Sequence, residues 1–291
     1  MLHRYILHND GIRGAADPLL SAGQVGLLSG WGVFTTMRVV DGIPFAFERH
    51  WARLTRDAQI LNIDLPFGAE TIRHKLLELI EANRADRATL RLVIVRNRGG
   101  FWAAPDQGRA SDLIALTADS KSWGASVKLC YVPHGRHAAS PFAGTKVLSW
   151  AMNLRCLESA QERGFDEVIL LNERGEVAES TSANIFVANG SQVWTPPLAS
   201  GCLAGITREV LLDEIHAPGI SIGEKTLFPS DLESADEVFI TSTTRNLVAV
   251  GQIGERRVGR SDQVRTVLDD TFGEYLRRYV SRQREALATR A

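Results

Sequence analysis

Residues 166–186, Asp-Glu-Val-Ile-Leu-Leu-Asn-Glu-Arg-Gly-Glu-Val-Ala-Glu-Ser-Thr-Ser-Ala-Asn-Ile-Phe, and residues 195–208, Thr-Pro-Pro-Leu-Ala-Ser-Gly-Cys-Leu-Ala-Gly-Ile-Thr-Arg, carry the reading of this chain. Glu167–Leu171 is an apolar run of strand length, and Asn172–Gly175 has the composition of a turn. Further strands are expected at Val177, Ile185–Val187 and Val193–Thr195, and a helix over Thr207–Ile215. Two pieces of chemistry sit in this frame. Glu179 offers a carboxylate able to keep a heterocyclic ring nitrogen protonated, and Gly205-Ile206-Thr207-Arg208 is a loop-to-helix junction whose backbone N–H groups can grip an anion.

Working outward, Val127–Val132 reads as a strand and Trp150–Arg163 as a helix stopped by Gly164. Residues 33–40 and Ile43-Pro44-Phe45 read as two strands around a tight turn at Asp41-Gly42. Trp51, Leu54, Ala58 and Leu61 recur at helical spacing between Glu48 and Leu61, as do Ile72, Leu76, Leu79 and Ile80 in a second helix. Strands follow at Thr89–Val95 and Leu113–Thr117, after which periodicity is lost over 118–124. The boundary is therefore expected near residue 120, with a small α+β domain over 1–120 and a larger one over 121–291. Glu237–Thr241 reads as a strand. Ser261–Ala288 reads as an Arg-rich helix whose stripe of Val264, Leu268, Phe272, Leu276 and Tyr279 packs on its own domain or on a second subunit.

The charges nearly cancel, with 33 basic and 34 acidic residues, so the balance points to a small-molecule partner and away from nucleic acid or an anionic membrane. Arginine outnumbers lysine 28 to 5, which genome composition explains as well as anion recognition does. Cys130, Cys156 and Cys202 are odd in number and far apart, a pattern of neither a disulfide framework nor a zinc site, and it fits a reducing cytoplasm. The apolar stretch in Met1–His8 is too short for a signal sequence, and no run approaches the length of a membrane span, so a cytoplasmic protein is expected.

Against that scarcity of lysine, Lys146 stands out, about thirty residues before the Glu179 motif. Thr145, Val147 and Leu148 around it predict partial desolvation, which lowers an amine's pKa and favours the neutral form that attacks an aldehyde. A nucleophilic amine, a partner for a ring nitrogen and a phosphate grip together point to pyridoxal 5′-phosphate.

From about Gly30 to Val250 the chain resembles the class IV aminotransferases. This fold-type IV group includes branched-chain and D-amino acid transaminases, (R)-amine transaminases and aminodeoxychorismate lyase. The resemblance implies a two-domain α+β fold and a homodimer whose active site lies between domains and borrows a loop from the neighbouring subunit. It makes Lys146 the Schiff-base lysine and carrier of the substrate's α-proton, and Glu179 the partner of the pyridine nitrogen, with Asn184 ordering the strand behind it. His50-Trp51-Ala52-Arg53-Leu54 matches the family's phosphate motif, which makes Arg53 a phosphate donor. Ile206, Thr207, Ser242 and Thr243 match the remaining phosphate turns.

On the substrate side, Arg38 and Arg96 match carboxylate-binding positions, Phe34 shares a strand face with Arg38, and Trp31, Trp102 and Trp150 are further candidates for the pocket wall. The chain departs from the branched-chain pattern in having Ala151 where a Tyr is usual, and from the Arg-Gly pair of the D-amino acid and aminodeoxychorismate enzymes in having Asn97 after Arg96. Phe34-Thr35-Thr36-Met37-Arg38-Val39 is similar to aminodeoxychorismate lyase, whereas Ser180-Thr181-Ser182 and residues 241–244 are similar to D-amino acid transaminases. The expected reaction is amino transfer between an amino acid and a 2-oxo acid. The alternative is release of pyruvate and 4-aminobenzoate from aminodeoxychorismate.

Overall fold

The structure, a computed structural model, describes residues 1–21, 23–99 and 108–289. The chain divides into two compact units. The first comprises Met1–Lys121, Thr145–Ser149 and the described residues from Arg278 onward, and the second comprises Ser122–Gly144 and Trp150–Arg277. The expected range 121–291 for the second domain thus contains two segments that group with the first unit. The physical reason is long-range pairing, which leaves no local pattern to read.

The first unit contains β1 (Leu2–His8), β2 (Gly11–Gly14), α1 (Val25–Ser29), β3 (Gly32–Val40), β4 (Ile43–Pro44), α2 (Phe47–Ile60), α3 (Ala69–Ala82), β5 (Arg87–Arg96) and β6 (Ser111–Asp119). Its strands form one antiparallel sheet in the order β2-β1-β6-β5-β3-β4. Asp41 and Gly42 both have positive φ, 49° and 78°, as a two-residue hairpin turn between right-twisted strands requires. Alternation along β3 sends Val33, Met37 and Val39 into a core shared with Leu54 and Ala58 of α2 and Ile72, Leu76 and Leu79 of α3. Burying each of these leucines contributes roughly 2 kcal/mol. The opposite face of β3 carries Phe34, Thr36 and Arg38.

The second unit contains β7 (Ser126–Val132), α4 (Ala151–Gln161), β8 (Glu167–Leu171), β9 (Val177–Glu179), β10 (Asn184–Asn189), β11 (Gln192–Thr195), α5 (Ile206–Asp213), β12 (Ser221–Glu224), α6 (Pro229–Ser234), β13 (Glu237–Ser242), β14 (Asn246–Ile253) and β15 (Arg256–Arg257). The sheet runs β12-β11-β10-β13-β14-β7-β8-β9, with β15 beside β14. The last helix, α7 (Gln263–Ala288), buries Leu268, Phe272, Leu276 and Tyr279 within this one chain. In the first unit, Tyr279 donates its hydroxyl proton to Glu48 at 2.7 Å and accepts the Phe47 N–H at 3.2 Å, which ties the end of α7 to the start of α2. No helix among the described residues is long and apolar enough to cross a membrane.

Candidate active site

In the first unit, residues 145–149 lie along β3 as a short added strand. Val147 bridges Val33, the Phe34 N–H donates to the Lys146 carbonyl at 3.1 Å, and the Leu148 N–H donates to the Gly32 carbonyl at 2.9 Å. Because side chains alternate, Val147 points with Val33 toward the core, while Lys146 points with Phe34 to the other face. The Lys146 Nζ accordingly lies 4.5 Å from the centre of the Phe34 ring. Glycine at 32 permits this approach, since a Cβ there would meet Leu148 Cδ1 at 2.3 Å.

Behind the strand, α2 presents His50, Arg53 and Asp57 at helical spacing, all buried. Arg53 Nη2 donates to Thr35 Oγ1 at 2.9 Å, and His50 Nδ1 shares that hydroxyl at 2.7 Å. Complete burial, reinforced by the charges of Arg53 and Lys146, holds the His50 pKa well below its ordinary value of 6.5. The folded chain therefore refuses a proton that the unfolded chain accepts below pH 6.5. Stability is expected to fall as pH drops from 6.5 toward that lowered pKa, by at most ~1.4 kcal/mol per pH unit. Urea midpoints at several pH values should show this loss in the parent and a shallower one in His50→Gln; equal slopes would remove His50 from the account.

In the second unit, Glu179 is buried at the end of β9. Its Oε1 accepts from Arg136 Nε at 2.9 Å, and its Oε2 accepts the Leu203 N–H at 3.1 Å. Asn184 donates through Nδ2 to the Leu203 carbonyl at 2.9 Å, so two buried side chains grip the residue that leads into α5. Asn184 also pairs with Thr241 across β10 and β13, which places Ser242, the last residue of β13, in the same corner. Helix α5 starts after Gly205 with no side chain capping it, which leaves the first-turn N–H groups of Ile206 and Thr207 available to an anion. A Cβ on Gly205 would meet Asn184 Oδ1 at 2.0 Å, so glycine is needed for this close fit. Thr243 lies in the turn between β13 and β14.

The sequence-predicted residues thus fall into two sets. Phe34, Arg38, Arg53, Arg96 and Lys146 belong to the first unit, and Glu179, Ile206, Thr207, Ser242 and Thr243 to the second. Arg38 is half-buried on the Phe34 face of β3. The Arg96 guanidinium lies 4.1 Å from the Trp31 ring centre and donates to the carbonyls of Asn62 and Arg98, at 2.5 and 2.6 Å. Trp31 itself donates to the Leu61 carbonyl at 2.9 Å and packs on the core, and Trp102 lies outside the described residues.

Sequence reasoning missed Arg136 and Arg91. Arg91 pairs with Thr36 across β5 and β3, and its guanidinium lies 4.8 Å from the Phe34 ring centre. A charged residue between Leu90 and Leu92 in an otherwise apolar run was its available signal. Arg136 sits in an unpatterned loop and had none.

The family profile Amino-transferase class IV matches residues 32–253. A Methanocaldococcus jannaschii protein assigned to the branched-chain-amino-acid aminotransferases is 32% identical over 243 residues, covering 82% of this chain and 84% of that one. The D-alanine aminotransferase of Bacillus licheniformis is 28% identical over 272 residues, covering 87% and 90%. In fold, the chain is similar to the branched-chain amino acid aminotransferase from Escherichia coli, with a TM-score of 0.84, 23% identity and coverage of 93% and 94%. The chain belongs to the class IV aminotransferases, α+β enzymes of fold type IV that move amino groups with pyridoxal 5′-phosphate.

The residues present fit that cofactor. In the second unit the start of α5 is uncapped and closed tightly by Gly205, and the buried Thr241 Oγ1 is without a partner among the described residues; in the first unit Arg53 is a buried guanidinium. That chemistry calls for an amine and a carboxylate, and Lys146 of the first unit and Glu179 of the second are residues of those types.

Proposed function

We propose that Lys146 is the catalytic amine of an amino transfer between an amino acid and a 2-oxo acid. The observation that carries this reading is the fixing of the Lys146 peptide on β3 with its Nζ beside Phe34. Bound pyridoxal phosphate supplies an aldehyde and an electron-accepting ring. Lys146 would hold the cofactor through its amine and would move the proton at the substrate's Cα. Glu179, positioned by Arg136 and the Leu203 N–H, would be the partner of the ring nitrogen. Arg53, the N–H groups of Ile206 and Thr207, and the hydroxyls of Thr207, Ser242 and Thr243 hold the phosphate.

On the substrate side, Arg38 binds a carboxylate and Phe34 forms the apolar wall. Arg96 serves as a secondary carboxylate partner, since its guanidinium already donates to two backbone carbonyls. The working form is a homodimer in the cytoplasm, and sedimentation should find twice the 32.0 kDa mass of the chain.

The test is the visible absorbance of the cofactor-loaded protein as L- and D-amino acids are added singly without an acceptor. One donor class is expected to bleach it, and a 2-oxo acid to restore it. The motif Phe34-Thr35-Thr36-Met37-Arg38-Val39 favours a second reading, elimination of pyruvate from aminodeoxychorismate. If no amino acid bleaches the protein while that substrate yields pyruvate and 4-aminobenzoate, the second reading replaces the first.

A further inference from the structure

We infer that Asp57 is a positioning residue for Lys146, an inference that rests on the reading of Lys146 as the catalytic amine. Asp57 is completely buried in the last turn of α2. That is a poor place for a carboxylate: aspartate is a weak helix former, and the negative end of the helix dipole repels it. Its contacts show what the charge is used for. Oδ1 accepts two bonds from Arg56, from Nε at 3.0 Å and Nη2 at 2.7 Å, and Oδ2 accepts the Lys146 backbone N–H at 3.0 Å.

The bond to Lys146 spans 89 residues of sequence and joins the helix to the short added strand. On its other side, the Lys146 carbonyl accepts the Phe34 N–H. One residue's peptide groups are thereby held at both ends, one by a charged acceptor, and this sets the direction in which its side chain leaves the strand. A lysine side chain has four rotatable bonds, so fixing its root is the part of the aim that the backbone can supply. Arg56, whose side chain is partly exposed, bonds to Oδ1, whereas the Lys146 N–H bonds to Oδ2. Asp57 touches the backbone of Lys146, so it acts through that residue.

The experiment compares covalent and non-covalent cofactor binding in Asp57→Ala. The Lys146 amine adds to the aldehyde of pyridoxal phosphate and water leaves; borohydride then reduces the C=N bond to a stable amine that peptide mapping locates. Pyridoxamine 5′-phosphate has no aldehyde and reports binding alone. We expect attachment at Lys146 to slow by about tenfold or more while affinity for pyridoxamine phosphate stays within about twofold. Asp57→Asn, which keeps an acceptor for the amide, should restore the rate to within about threefold of the parent.

If Asp57→Ala does not fold, Asp57→Glu replaces it. That variant keeps the charge and moves the acceptor by a methylene, and the same slowing is expected. An unchanged attachment rate overturns the inference and leaves the reading of Lys146 intact, and so does parallel loss of attachment and of pyridoxamine phosphate affinity. Attachment to a different lysine in the parent protein overturns the reading itself, and the inference with it.

Discussion

Lys146→Ala is expected to lower turnover with the best amino donor by about 10⁴-fold or more, a barrier increase of at least ~5.5 kcal/mol. On the proposed reading, the variant would lose both the amine that holds the cofactor and the base that moves the Cα proton, and water supplies neither at the right place. Alanine keeps the N–H and C=O that bond to Asp57 and Phe34, so the strand at 145–149 should remain in place. An unchanged thermal midpoint and retained affinity for pyridoxamine phosphate would attribute the loss to chemistry. Steady-state kinetics with saturating cofactor provide the measurement, and turnover within about tenfold of the parent would sink the assignment.

Glu179→Gln is expected to lower kcat by roughly 10²- to 10³-fold, because on the proposed reading a neutral amide would no longer stabilise a protonated ring nitrogen. The local geometry adds a second loss. Both carboxylate oxygens accept bonds, from the Arg136 guanidinium and the Leu203 N–H, and the glutamine NH2 must face one of those donors. Leaving one of these partly buried donors without an acceptor costs on the order of 1 kcal/mol, so the thermal midpoint should fall as well. Glu179→Asp keeps the charge and should recover part of kcat. A glutamine variant with kcat within about threefold of the parent would remove Glu179 from the ring-nitrogen role.

The fold was legible wherever a pattern closes over a few residues. The β3–β4 hairpin announces itself through Asp41-Gly42, and α2 and α3 through apolar residues at helical spacing. Strands β1, β2 and β14 went unread: β2 is only four residues long, and β14, Asn-Leu-Val-Ala-Val-Gly-Gln-Ile, is defined by pairing antiparallel with β13 and parallel with β7. Periodicity along α7 gives no sign that its end leaves the second unit, yet Tyr279 bonds to Glu48 and Phe47, more than 230 residues earlier in the chain.

The sequence by itself determined the class of this protein. The order Lys146, Glu179, Gly205-Ile206-Thr207 and Thr241-Ser242-Thr243 survives as a linear pattern, because each motif is a short local structure, a strand end, a helix start or a turn, whose chemistry its own residues supply. Only the tertiary structure decided what surrounds each of them. It laid residues 145–149 along β3, gave the Lys146 amide to Asp57, set Arg91 over Phe34 and Arg136 against Glu179, and sent Asn184 to the Leu203 carbonyl. Those pairings join residues from 19 positions apart, Asn184 and Leu203, to 114 apart, Val33 and Val147. Register and packing choose such partners, and local periodicity leaves no trace of them.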